Sequence, residues 1–373
     1  MFNVIYFSLT NLAVNDAYYN KLLSHNILIK KKGYFQIILA YHNSDVGIFT
    51  IKNSNIKLLI SIKCYNTINK RIVLFSILIY LLLRKKYKFI YIRYPRPDLF
   101  LIVSLVILKL KLIKIFYEIP TYPFTKEFNK LFSISGFYER ISTLIFFPIT
   151  LLLTDYVLVI AYDQKILLKY VKKIENGVTD FKIFKNNLNS SKTIKLISVI
   201  NFNETNNRHG LDRLLKGLSE YDQSFRPVEL LLVGDVSKSN LKEEIINGVN
   251  KGYLKILGNL NNADLQKYYM LADVGIGNLG FHRISVNYSS SLKEREFLEY
   301  GLPYISSSKD HMIRENCNFR LKVSNNDELV KISTVINFYD KFINQKNQYI
   351  ELKKYTKKHL NWNKAMQNFL KLI

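Results

Sequence analysis

Ser289, Ser290 and Ser291 stand directly ahead of the run LKEREFLEYGLP, Leu292 to Pro303. Ser291 and Glu294 have the spacing of a capping box, in which a hydroxyl and a carboxylate satisfy the free N–H groups of a helix start. Leu292, Phe297 and Leu298 give that helix a narrow inner face, and Gly301 followed by Pro303 ends it. A helix start carries unpaired N–H groups and positive partial charge, so it suits a phosphate. Lys293 and Arg295 lie in the first turn, where the helix dipole disfavours cations. An anionic ligand gives them a reason to be there; a core helix with solvated charges is the plainer alternative.

The strand ahead of this helix ends in GIGNLG, Gly275 to Gly280, which matches G-x-G-x-x-G. It does not read as a dinucleotide-binding turn. Two of its glycines fall inside the strand, and the helix opens about eleven residues after the last one. The glycines read instead as a strand end where backbone approaches a ligand or turns sharply. Gly280 to Ser290, with His282 and Arg283, then forms a loop over whatever binds. A second polar group, Asn201, Arg208, His209 and Gly210, follows the strand Ile194 to Ile200 at its carboxyl end, where open α/β sheets bind ligands. Glu118 ends another such strand, between Tyr117 and Pro120, and either orients a substrate hydroxyl or completes a turn. The six histidines have no metal spacing and no DxD-like pair is present, so no metal site is expected. No pair of carboxylates stands out as a glycosidase couple.

The elements that position these residues alternate strand and helix throughout, which argues for parallel sheets covered on both faces. In the front half FQIILAYHN, NIKLLIS, KFIYIRYP, KLIKIFYEIP and DYVLVIA read as strands; Val14 to Leu23, Ile72 to Arg84 and Leu99 to Leu108 read as helices. The pattern breaks over Glu175 to Lys192, where Asn, Ser and Lys dominate and Asn176-Gly177 marks a turn. The expected division is a first domain over residues 1–180, a second over 181–352, and a helical end over 353–373.

The chain has 373 residues, long enough for two cores, and 48% apolar residues with which to fill them. Its two cysteines, Cys64 and Cys317, form no framework, as expected in a reducing compartment. The first residues lack the basic region and cleavage site of a signal peptide. Net charge is +25, and 25 Lys and Arg against 10 Asp and Glu precede residue 181. A genome rich in A/T codons accounts for part of this, but Glu codons are A-rich too and only Lys is in excess. Ile72 to Leu83, Leu99 to Leu108 and Leu144 to Leu153 are apolar yet fall short of the roughly 18 residues of a spanning helix. Arg84, Lys85, Lys86 and Lys88 flank the first, and Lys109, Lys111 and Lys114 follow the second. That pattern suits attachment to an anionic lipid surface, or else plain helices of an α/β domain. A nucleic-acid partner is disfavoured, because the aromatics lie in apolar strands and no recognised module is present.

SLKEREFLEYGLPYI resembles the donor-site helix of retaining GT-B glycosyltransferases of the family-4 type, in which a glutamate falls five residues before the Gly of a G-x-P turn. Glu296 stands there. IENGVTDFKIF (Ile174 to Phe184) is similar to that family's interdomain segment, ISVINFNETNNRHGLDRLLKGL (Ile197 to Leu218) to its diphosphate loop and helix, and VELLLVGD with YLKILGNLNNADLQKYYMLADVGIG to its nucleotide-binding core. The resemblance runs from about Tyr156 to Trp362 and is closest to bacterial polysaccharide-cluster enzymes. It implies two Rossmann-like domains facing across a cleft, with the terminal helix returning to the first. It implies transfer of a sugar, with retention, from a nucleotide-diphosphate donor to a glycan or polyprenyl-linked acceptor in capsule or exopolysaccharide synthesis, without metal or other cofactor. Together with the apolar runs edged by Lys and Arg, it makes the expected place the cytoplasm, peripheral at the inner face of the cytoplasmic membrane.

By the same resemblance Glu296 accepts from ribose hydroxyls. Ser291, Leu292 and Lys293 meet the donor at the helix start. Gly210 and Gly280 admit it closely. Arg208 and His209, with Asn201, stand in for the Arg and Lys that hold the diphosphate, whose charge grows as the glycosidic bond breaks. The position of the family's first signature glutamate is Tyr288, so either its contact with the sugar comes from elsewhere, with His282 and Arg283 as the candidates, or the loop register differs. Where related enzymes often carry a His, this chain has Glu118. A non-catalytic GT-B nucleotide-binding or assembly protein is the alternative.

Overall fold

The computed structural model describes residues 3–12, 17–42, 45–52, 55–64, 66–93, 97–123, 134–182, 192–202 and 207–373. The chain divides into two compact units, residues 1–175 with 365–373, and residues 176–364.

In the first unit, β1 (Val4–Asn11), β2 (Gln36–His42), β3 (Asp45–Lys52), β4 (Asn55–Ile62), β5 (Phe89–Arg93), β6 (Lys114–Ile119), β7 (Tyr156–Ile160), β8 (Lys165–Ile166) and β9 (Lys169–Ile174) form one sheet in the order β4-β3-β2-β1-β5-β6-β7-β9-β8. Its central strands are parallel and read as continuous apolar runs because both faces are covered. The edges depart from the all-parallel expectation: β2, β3 and β4 are antiparallel neighbours, as are β8 and β9. Two residues separate β2 from β3 and β3 from β4, too few for the crossover that a parallel pair needs.

Helices α1 (Ala17–Lys31), α2 (Thr67–Arg84), α3 (Leu99–Leu110) and α4 (Ile134–Leu153) cover this sheet. Residues 13–16, with Val14 of the expected first helix, lie outside the described residues. Asn66 caps α2 through the N–H of Asn69, and Asp98 caps α3 through the N–H of Leu101. Leu101, Ser104, Leu105 and Leu108 give α3 a buried stripe at helical spacing, while Leu99, Phe100, Val103, Val106 and Leu110 face outward. The packing order is α2, α3, α4, side by side.

In the second unit, β10 (Ile194–Val199), β11 (Val228–Val233), β12 (Leu254–Gly258), β13 (Val274–Ile276), β14 (Tyr304–Ser306) and β15 (Arg320–Lys322) are all parallel, in the order β12-β11-β10-β13-β14-β15. This is the doubly wound dinucleotide-fold order, with its switch point between β10 and β13. Helices α5 (Leu211–Glu220), α6 (Lys242–Asn250), α7 (Asn262–Leu271), α8 (Leu292–Glu299), α9 (Ile332–Ile343) and α10 (Gln348–His359) complete the unit. Apolar residues of β10, β11, β13, α5 and α9 pack into one core, and those of α7, α8 and β14 into another.

The chain leaves the first unit between Glu175 and Asn176 and re-enters it at Ala365, within α11 (Trp362–Ala365) and ahead of α12 (Gln367–Leu370). The sequence pattern puts these points at 180 and 353, but α10 belongs with the second unit, where Leu352 and Leu360 are buried in its core. Ala365 accepts from the N–H of Glu175 at 3.0 Å, and Leu360 from that of Val178 at 2.7 Å. Gly177 passes so close to Trp362 that a Cβ would lie 2.7 Å from its Cα. On its return the chain buries Phe369 edge-on against Phe89, Tyr91 and Phe116 of the first sheet.

Candidate functional site

The switch point of the second unit gathers the loop after β10 and the loop after β13. The N–H of Leu279 donates to the carbonyl of His209 at 3.1 Å, and that of Gly280 to the carbonyl of Arg208 at 2.9 Å. Gly210 makes this contact possible: its φ is +61°, and a Cβ there would sit 2.7 Å from the carbonyl carbon of Leu279. Arg213, buried on α5, fixes the same stretch from behind, donating to the carbonyls of Leu279, Glu328 and Ser324. Asn201 follows β10 at its exposed carboxyl end.

Asn278 is the centre of this arrangement. Its Oδ1 lies 3.0 Å from Nδ1 of His209, its Nδ2 is 3.4 Å from Oγ of Ser291, and its carbonyl accepts from the N–H and Oγ of Ser307. No motif singled it out; the available signal was a lone polar side chain among the glycines at a strand end. Burial, then Lys293 and Arg208, hold the imidazole of His209 well below its ordinary range.

Helix α8 opens on this cluster, but the capping box does not form. Ser291 makes no side-chain cap bond. Glu294 instead turns inward, fully buried, with Oε1 3.4 Å from the N–H of Asn278; Gly275 and Gly277 leave room for Phe297 and this carboxylate rather than for a ligand. Burial pushes the Glu294 carboxyl up, against Arg320 and the other nearby cations. The two first-turn cations part company. Arg295 is 1% exposed, pairs with Asp310 at 2.7 Å, and donates to the Asn176 carbonyl and to Ser290, so it serves the fold rather than an anion. Lys293 reaches back to within 3.4 Å of the Gly277 carbonyl, and burial, with Arg208 adding to it against Glu294, pushes its ammonium down to about 8. Leu292 is half-buried beside it. Glu296, one turn on, is half-buried and receives the Tyr269 hydroxyl at 3.3 Å.

The loop from Gly280 to Ser290 is braced by charge. Arg283 grips both carboxylate oxygens of Asp212, at 2.8 and 2.6 Å, and with His282 it also holds Asp327. Both side chains brace the loop through these contacts. Tyr288, where the resemblance leads one to look for a glutamate, stacks on His311 at 4.2 Å.

Glu118 lies in the first unit and is 0% exposed. Oε1 meets Lys21 at 2.7 Å and Arg93 at 3.4 Å, and Oε2 accepts from the Tyr91 hydroxyl. Burial alone would raise its carboxyl, but Lys21 and Arg93 outweigh it and hold the group down to about 2. The expectation that Glu118 orients a substrate hydroxyl is corrected: with both oxygens occupied and none reaching solvent, it is an internal counter-ion. Among the described residues no three His, Cys, Asp or Glu side chains are grouped to hold a metal ion, and no helix is long and apolar enough to cross a membrane.

No protein-family model and no curated protein matches this sequence. Solved structures do. A sucrose-phosphate synthase from Thermosynechococcus elongatus is similar over 99% of this chain and 98% of its own, at 14% identity and a TM-score of 0.62. WaaG, a glycosyltransferase involved in lipopolysaccharide biosynthesis, is similar over 99% of both chains at 9% identity and a TM-score of 0.65. The pneumococcal O-GlcNAc transferase GtfA, solved with UDP and GlcNAc, is similar over 99% and 98% at 9% identity and a TM-score of 0.56. With two α/β units matched end to end, the chain has the GT-B fold of these glycosyltransferases.

Proposed function

We propose that this protein is a glycosyltransferase that moves a sugar from a nucleotide-diphosphate donor, with retention, to a glycan or lipid-linked acceptor of cell-surface polysaccharide synthesis. The observation that carries the reading is the site at the switch point of the second unit. There the start of α8 and Lys293 meet the Arg208-His209 loop, with Asn278 between them. Helix-terminal N–H groups and two cations at one spot suit a diphosphate whose charge grows as the sugar departs. In such a site the leaving diphosphate takes the acceptor's proton on the face it vacates, while Lys293 and Arg208 hold its charge without a metal. Glu296 takes the ribose.

Calorimetry with UDP, GDP and ADP, then turnover with their sugar conjugates and polyprenyl phosphate acceptors, tests this. One nucleoside diphosphate is expected to bind and Lys293→Ala to weaken it at least tenfold. Binding of none of the three would overturn the reading; binding without turnover of any conjugate would favour a non-catalytic nucleotide-binding protein.

The same reading puts the enzyme at the inner face of the cytoplasmic membrane, where lipid-linked acceptors lie. Support comes from the outer faces of α2, α3 and α4. On α4 alone Leu144 is 77% and Leu152 76% exposed, and Arg84, Lys85, Lys86, Lys109 and Lys111 edge the neighbouring helix ends. Flotation with vesicles containing phosphatidylglycerol is expected to carry the protein, less so as salt rises. Equal binding to neutral vesicles would remove the electrostatic part.

A further inference from the structure

His209 presents its two ring nitrogens to different worlds. Nδ1 faces the carboxamide oxygen of Asn278 at 3.0 Å, and that amide is oriented by its other end, whose NH2 group points at Oγ of Ser291. A carboxamide oxygen only accepts, so Nδ1 carries the proton and Nε2 is left with a lone pair. Nε2 is shielded from solvent and meets no partner among the described residues, which for a buried nitrogen asks for a ligand. Among the described residues the charged groups facing the ring are Lys293 from α8 and Arg208 from its own loop, and both resist a second proton. A phosphate oxygen also only accepts, so it finds nothing to bind at an unprotonated Nε2. A hydroxyl does.

We propose that His209 is a sugar-reading residue: Nε2 accepts a hydrogen bond from a hydroxyl of the donor's sugar, while Lys293 and Arg208 hold the diphosphate. This rests on the nucleotide-sugar reading above and replaces the expectation that His209 serves the diphosphate as a cation.

The test compares UDP with UDP-glucose, GDP with GDP-mannose and ADP with ADP-glucose, using whichever pair binds. His209→Asn keeps a donor to Asn278 and removes Nε2. It is expected to cost about tenfold in affinity for the sugar-bearing member and less than twofold for the bare nucleotide, with an unchanged melting temperature as the check on folding. His209→Lys is expected to leave the sugar-specific loss in place. Nitrogen-15 NMR of the histidine rings at neutral pH should show Nδ1 protonated and Nε2 bare, with and without the bare nucleotide. Equal losses for both members of a pair, or a proton on Nε2 when the bare nucleotide binds, would overturn this proposal alone. Binding of no pair would overturn both it and the function it rests on.

Discussion

His25 lies on α1 with the rings of Tyr6 and Tyr91 edge-on to it, at 6.4 and 5.5 Å between centroids. Burial, with Lys21 nearby, pushes its imidazole down to about 3. Unfolded, the same group takes a proton near pH 6.5. Between those two values the unfolded chain binds the extra proton, so stability falls as pH drops from about 6.5 towards 3. Glu118 acts in the same sense lower down: its stabilisation is complete above the usual carboxylate range and is lost as pH falls towards about 2. Urea titrations across pH should show that slope, and His25→Leu should flatten it between pH 6 and 4 by an amount on the order of 2 kcal/mol. A parallel curve for the variant would show the histidine is not the titrating group. At Glu296 a different balance applies. The side chain is half-buried and accepts from the Tyr269 hydroxyl, and Glu296→Ala should weaken nucleotide affinity about tenfold or more with little change in melting. Calorimetry beside a melting curve checks both halves. Sequence made Glu118 and Lys293 visible because polar residues at strand ends and helix starts are conspicuous, and Glu296 by its place in the helix that resembles the family's donor site. It could not separate Lys293 from Arg295, or see that Lys21, 97 residues away, occupies Glu118, because those outcomes depend on pairings between distant segments.

The joined loops after β10 and β13 act as one element. Two main-chain hydrogen bonds and the left-handed turn at Gly210 hold them, so the backbone from Arg208 to Gly210 is braced against Leu279 and Gly280. A methyl group at Gly210 meets both an unfavourable φ and the backbone of Leu279. Gly210→Ala should therefore cost about 1–3 kcal/mol of stability and loosen nucleotide binding through Arg208 and Lys293 together. If thermal melting is unchanged, the two loops are not locked in solution. Most elements were legible in the pattern. β5, β6, β7, β10, β11 and β13 show as apolar runs, and α8 shows by its stop at Gly301. What the pattern hid was local. β3 alternates too weakly to announce itself between turns, and the capping-box spacing at Ser291 lost to the inward pull on Glu294. That carboxylate instead meets the Asn278 N–H and lies near Arg320, Arg295 and Lys293 inside the unit, a pairing between segments that local spacing does not record.

The whole molecule is two units stitched by two passes of chain, and the second pass ends inside the first unit. Phe369 is 1% exposed and closes the aromatic cluster of Phe89, Tyr91 and Phe116. Phe369→Ala should cost about 3–5 kcal/mol, and the loss should fall on one unit. Hydrogen exchange should quicken in β5 and β6 and stay unchanged in β10 and β11; uniform loss across both sheets would show that the units unfold as one. Parallel sheets covered on both faces were readable from alternation; the strand order of the second unit was not, and the return to the first unit came only with the family resemblance, since a short tail carries no label for the sheet it will join. That return sets an order on synthesis. Residues up to 175 leave the ribosome first, yet their core lacks its last aromatic ring until position 369 has been made. The second unit, contiguous from 176 to 364, has all its strands earlier than that. During translation the first-made half is thus the last to be finished, and it waits with the apolar faces of α2, α3 and α4 on its surface, a period in which early contact with a membrane or a chaperone would matter most.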